Sequence, residues 1–149
     1  MSELHKFLFD GLPVRGAIVR LTDAWVEVLR RRASNSVTGA YPESVRALLG
    51  EMTAAAVLMQ SNIKFDGALV LQIFGDGPVS VAVVEVQPDF SLRATAKVTG
   101  EVADGQSLSQ MVNVHNQGRC AITLDPKTKF PGQQPYLSLI HISEPTRLG

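Results

Sequence analysis

Ile63-Lys64-Phe65-Asp66-Gly67-Ala68-Leu69-Val70-Leu71-Gln72-Ile73-Phe74-Gly75-Asp76-Gly77-Pro78 is followed by two further apolar runs that end at Thr99. Ala68 to Phe74 is apolar except for Gln72, and Val79 to Val86 carries five valines. β-branched side chains suit a pleated, packed surface, so both runs read as strands. Gly75-Asp76-Gly77-Pro78 between them is dense turn chemistry: the glycines are expected to supply positive φ, and Pro78 presets φ while removing a donor. From Leu92 to Thr99 the chain alternates. Leu92, Ala94, Ala96 and Val98 face one way, and Arg93, Thr95, Lys97 and Thr99 the other. That is a strand with one dry and one wet face. Connections this short favour an antiparallel meander, because parallel neighbours need a crossover of a dozen or more residues.

Upstream, Pro42 is placed at the first position of the longest helix, where its missing N–H has no intrahelical partner. Val45, Leu48, Leu49, Met52, Ala55, Ala56, Met59 and Ile63 then recur at helical spacing and make a stripe that must lie on the sheet. The methionines suit a plastic binding surface, but at this spacing they read as core. Thr53, Gln60, Ser61 and Asn62 make the helix less apolar. Before it, Lys6-Phe7-Leu8-Phe9 is a short apolar piece ahead of the turn residues Asp10, Gly11 and Pro13. Val14 to Leu21 reads as a strand. Ala24 to Ala33 reads as a helix with Trp25, Val28 and Leu29 on one face, closed by Arg30-Arg31-Arg32. Cations there complement a helix C-terminus; a nucleic-acid patch is the weaker reading.

Downstream, Ser107 can cap a short helix carrying Leu108, Met111 and Val112. Arg119 to Leu124 reads as a strand with Cys120, Ile122 and Leu124 on one face, ended by Asp125-Pro126. The fold class expected is α+β: an antiparallel sheet meander covered by a long amphipathic helix.

The 149 residues, 45% of them hydrophobic, suffice for one domain with a core. Fourteen basic and fourteen acidic residues cancel, which gives no global pull toward nucleic acid or an anionic membrane. No apolar run reaches membrane-spanning length. The start lacks the pattern of a secretory signal, so a cytoplasmic location is expected. The single Cys120 makes neither an internal disulfide nor a zinc site by itself.

Catalytic constellations are thin. His5, His115 and His141 have no Cys, Asp or Glu at metal-ligand spacing, and no nucleophile elbow occurs. Gly75-x-Gly77 precedes a strand, whereas a dinucleotide fingerprint opens a helix. Asp66 and Asp76 could form an acid pair only if the fold brought them together, and each stands beside a turn glycine, where an Asp caps the turn. No catalytic, cofactor-binding or metal-binding residue is expected, and the chain reads as a non-enzyme.

Leu8-Phe9 with Pro13-Val14-Arg15-Gly16, then Lys64-Phe65-Asp66-Gly67, Gln72, Gly75-Asp76-Gly77-Pro78, and Ile122-Thr123-Leu124-Asp125 followed by Tyr136 together resemble the N-terminal domain of the heat-shock protein 33 family. The resemblance covers Lys6 to Tyr136, with the blocks in the family's order. It implies a cytoplasmic, ATP-independent holdase chaperone that responds to oxidative stress and binds unfolding or misfolded client proteins. It also implies a homodimer, and a C-terminal module whose CxC and CxxC cysteines hold zinc until oxidation releases it. Lys64, Phe65, Asp66, Gly67, Gly75, Asp76, Gly77 and Pro78 carry over as structural turns.

Leu137-Ser138-Leu139-Ile140-His141-Ile142-Ser143-Glu144-Pro145-Thr146-Arg147 departs from the family's pattern and matches a reading frame of a sequencing-library adapter. Residues 1–136 are therefore expected to be a partial N-terminal domain, and residues 137–149 a non-native tail, with the zinc-binding domain absent. Two functions from different classes follow. One is a holdase truncated before its switch. The other is an inert or self-associating fragment with unpaired strand edges. An enzyme using the turn aspartates is a third and weaker possibility.

Overall fold

A computed structural model describes residues 2–127, 132 and 134–142. Strands β1 (Glu3–Leu8) and β2 (Arg15–Arg20) form an antiparallel hairpin, followed by helices α1 (Asp23–Ala33) and α2 (Glu43–Asn62). Strands β3 (Gly67–Phe74), β4 (Val79–Val86) and β5 (Leu92–Val98) come next, then the short helix α3 (Leu108–Val112) and strands β6 (Arg119–Pro126) and β7 (Tyr136–His141). The five later strands make one antiparallel sheet in the order β5-β4-β3-β6-β7. The expected meander is its β3-β4-β5 half. β6 returns to the far side of β3, pairing Leu71 with Ile122.

The alternation decides which side of the sheet is dry. Leu69, Leu71 and Ile73 of β3 join Ala82, Val84 and Val86 of β4 and Ala96 of β5 in the core. α2 lies on this face through Val45, Leu48, Leu49, Met52, Ala56 and Val57, all buried. Each of the Val, Leu and Met side chains contributes about 1.5–3 kcal/mol over an exposed one. Of the α2 methionines, Met52 is a core residue, as its spacing suggests, and Met59 is half-buried against the core; Met111 of α3 is also buried. Within α2, Thr53 Oγ1 donates to the Leu49 carbonyl at 2.6 Å. Gln60 Nε2 donates to the carbonyls of Gly67, at 2.9 Å, and Val86, at 3.1 Å. One buried amide thus ties the end of α2 to the start of β3 and the end of β4.

Two local expectations change. Pro42 is the N-cap of α2 and not its first helical residue. Its ψ of 153° is extended, while its carbonyl accepts the first helical bond from the Arg46 N–H. Gly75 and Gly77 do not have positive φ; that conformation belongs to Gly11, Gly39, Gly105 and Gly132. The turn glycines answer to crowding instead. A Cβ on Gly75 would lie 1.9 Å from the Val79 carbonyl oxygen, and one on Gly77 would lie 2.8 Å from that of Met111.

Residues 137–142, set apart by sequence as adapter-like, fall mostly within β7, which pairs Leu124 with Tyr136 and Arg119 with His141. Residues 143–149 lie outside the described set.

Candidate functional site

Lys64-Phe65-Asp66-Gly67 leads from α2 into β3. Lys64 and Asp66 are exposed, while Gly67 is buried with the Asp125 carbonyl oxygen 2.1 Å from where its Cβ would be. The Phe65 ring meets Tyr136 edge to face, with centroids 6.4 Å apart. Gly75-Asp76-Gly77-Pro78 closes the other end of β3. There the Asp76 N–H donates to the Val112 carbonyl, and the Pro78 carbonyl accepts the Thr99 N–H at 2.7 Å. Asp76 Oδ2 accepts the N–H groups of His115 and Gln117, both at 2.9 Å. Desolvation pushes this carboxyl up, but N–H donors from Gln117, His115 and Val114 outweigh it and hold the group below the ordinary carboxylate range. Asp66 and Asp76 stand at opposite ends of an eight-residue strand, which is about 25 Å of chain. They form no acid pair.

The hairpin presents a different kind of surface. Its register sets Phe7 opposite Gly16, Lys6 opposite Ala17 and Leu4 opposite Val19. With side chains alternating at period two, Leu4, Lys6, Ala17 and Val19 share one face. That face turns to α2: Val19 and Leu21 pack against the core, and Lys6 Nζ donates to the Ser61 carbonyl at 2.5 Å. Phe7, Phe9, Val14 and Ile18 are therefore left on the outer face, where they are 39%, 49%, 48% and 62% exposed. Phe7 lies over Gly16, so that a Cβ there would come 2.3 Å from its ring, and it meets Phe9 edge to face at 5.6 Å. The sequence showed the apolar run Lys6 to Phe9 but not which way it points, and only the hairpin register settles that.

β7 adds exposed Tyr136, Leu137, Leu139 and Ile140 on a strand paired with β6 alone among the described residues. Cys120 sits in β6 against the core, where burial pushes its thiol up and leaves it a poor nucleophile. Among the described residues, no three His, Cys, Asp or Glu side chains gather as metal ligands. No described helix is long and apolar enough to cross a membrane.

The arginine run is tied down locally. Arg30 and Arg31 both pair with Glu27 at 2.7 Å, and Arg32 donates to the Gly39 carbonyl and lies 4.2 Å over the Tyr41 ring.

Comparison with known proteins decides the family. The model of the family described as Hsp33 protein matches residues 2–148. The chain belongs to the Hsp33 protein family. A relative from Chromobacterium violaceum, called a 33 kDa chaperonin, is 49% identical over 126 residues, covering 85% of this chain and 40% of its own length. A second 33 kDa chaperonin, from Methylobacillus flagellatus, is 42% identical and covers 95% of this chain and 44% of its own. The chain thus spans less than half the length of these curated relatives. The Thermotoga maritima Hsp33 crystal structure superposes with a TM-score of 0.71 at 19% identity, over 94% of this chain and 45% of the other. That likeness confirms the α+β Hsp33 fold.

Proposed function

We propose that this chain supplies the client-holding part of an ATP-independent, redox-regulated holdase of the cytoplasm. The observation that carries the reading is the outer face of the β1–β2 hairpin, where Phe7, Phe9, Val14 and Ile18 stand in water on a small, two-stranded element. Two-stranded hairpins are marginal alone and need packing to persist. This one is held by its inner face, by Lys6 and by Ser2 Oγ, which accepts the N–H groups of Thr22 and Ala24. Membership in the Hsp33 family and kinship to proteins called chaperonins support the same reading. Its partners are unfolded or misfolded proteins, with neither nucleic acid nor membrane involved, and its role is binding without catalysis.

The family's zinc and cysteine switch is carried, in this proposal, by residues other than these 149, because they hold a single cysteine, Cys120, half-buried in β6. The boundary at residue 136 is likewise a proposal. The adapter-like wording of the tail supports it, whereas the reach of the family match to residue 148 and the pairing of β7 count against it. Sequencing the source gene across the Tyr136 codon tests it: a continuous frame leading to CxC and CxxC pairs supports the truncation, and the same codons in the genome sink it.

The competing reading is a self-associating domain without chaperone activity, favoured by exposed Leu137 and Leu139 on β7, which pairs with β6 alone among the described residues. Light scattering of a heated client protein without ATP separates the two. A holdase suppresses the scattering at stoichiometric ratio, while a self-associating domain leaves it unchanged and elutes above its monomer mass.

A further inference from the structure

β5 is an edge strand, paired with β4 alone among the described residues. Tyr41, buried in the core, closes one end of that edge. Its hydroxyl accepts the Ala96 N–H at 3.2 Å and donates to Thr95 Oγ1 at 3.3 Å, and Arg32 stacks on its ring. The Ala96 amide therefore points away from β4. Backbone groups alternate sides along a strand, so the amide and carbonyl of Ala94 point the same way. Tyr41 stops short of them. An open cleft of about 690 Å³ lies there, between α1 and the β4–β5 hairpin, with Leu92, Ala94 and Thr95 along the strand side and Val28 and Arg31 from α1 opposite. Phe90 stands at the hairpin turn and lines the same cleft with φ of 66°, a left-handed conformation rare for a bulky residue. Its N–H donates to the Gln87 carbonyl, which helps to hold it there.

The cleft thus offers what a strand-shaped ligand needs. One wall carries outward backbone groups, and the lining is apolar along Val28, Leu92 and Ala94. Three guanidinium groups, Arg31, Arg32 and Arg93, stand in it against two carboxylates. Glu27 pairs with Arg31 and Glu85 with Arg93, which leaves Arg32 as the cation of this lining without a carboxylate among the described residues and the lining net positive. We propose that the β5 edge captures an extended, acidic segment of a client polypeptide by strand addition, with Ala94 pairing its backbone and the net positive charge of the Arg31, Arg32 and Arg93 cluster selecting its acidic side chains. This site is separate from the aromatic hairpin and rests on the client-binding reading only for the identity of the partner.

The test is fluorescence anisotropy of a labelled peptide of alternating valine and glutamate, added to the 149-residue chain. The comparison probes are the lysine version and a version N-methylated at alternate amides. The acidic peptide is expected to bind ~tenfold or more tightly than either, since each comparison removes a charge interaction or backbone hydrogen bonds. Added salt weakens it. Ala94→Pro removes the outward N–H without removing a bond to β4, a change that edge strands tolerate. It is expected to lower affinity by ~tenfold. Arg31→Glu, on the exposed face of α1, reverses the preference between glutamate and lysine and serves if the proline variant does not fold. Equal binding of the N-methylated peptide, or an unchanged preference in a folded Arg31→Glu protein, overturns the proposal. Suppression of client scattering with no binding of the acidic peptide overturns the edge site alone. Peptide binding without scattering suppression instead overturns the holdase reading.

Discussion

Asp76 and Gln117 are 41 residues apart in the chain, yet Oδ2 of Asp76 accepts the Gln117 backbone N–H at 2.9 Å. The same oxygen accepts the His115 N–H, so one turn carboxylate organises the connection between α3 and β6. Asp76→Ala is expected to lower the melting temperature more than Asp76→Asn, because the amide keeps an acceptor. The folded carboxyl lies below its unfolded value. Its contribution is therefore present above the unfolded carboxylate pKa and is lost as pH falls through the folded one. Melts of the wild type and Asp76→Asn should converge on acidification, and parallel curves would exclude the ionised clamp.

Gly75→Ala brings a Cβ against the Val79 carbonyl oxygen, at a place where neither backbone can give way without moving β4. A loss of about 1–3 kcal/mol or more is expected, as for an overpacked core. Gly11→Ala has open space around its Cβ but a φ of 75° and costs about 1 kcal/mol from strain alone. Urea denaturation ranks the two.

Gln60→Leu keeps most of the side-chain volume but leaves the Gly67 and Val86 carbonyls without their shared donor. The expected cost is about 1–3 kcal/mol, the penalty for unsatisfied buried groups. Hydrogen exchange should quicken first at the Gly67 end of β3. Uniform quickening would place the loss elsewhere.

Phe9→Ser and Ile18→Ser alter the outer face of the hairpin, away from the α2 side. Together they should leave urea stability within about 1 kcal/mol of the wild type. Client light scattering should return toward that of the client alone. Retained suppression in the folded double variant would remove the hairpin from the client surface.

Glu27 is held at a pKa of about 2, chiefly by hydrogen bonds from Arg30 and then Arg31. Its folded value lies below the unfolded one, so its contribution to α1 is present above about pH 4.5 and disappears as pH falls toward 2. The pair is exposed, which makes the effect small and salt-sensitive. A carboxyl NMR titration of Glu27 should show the low midpoint, and Arg30→Gln should raise it.

Sequence alone determined the elements whose signal is a local period. The 2-residue alternation of Leu92 to Val98, the valine run of β4 and the apolar stripe of α2 all appear in their expected places. The turn blocks sufficed for the family. Tertiary structure alone decided how distant pieces meet. It gave Asp76 its partners beyond α3, made Gly75 and Gly77 necessary through crowding, turned Phe7 and Phe9 outward, and brought the Tyr41 hydroxyl to the Ala96 N–H of β5. The physical reason is range. A period is written in neighbouring residues, whereas strand order, register and the docking of one turn on another depend on loop closure and core packing across the whole sheet.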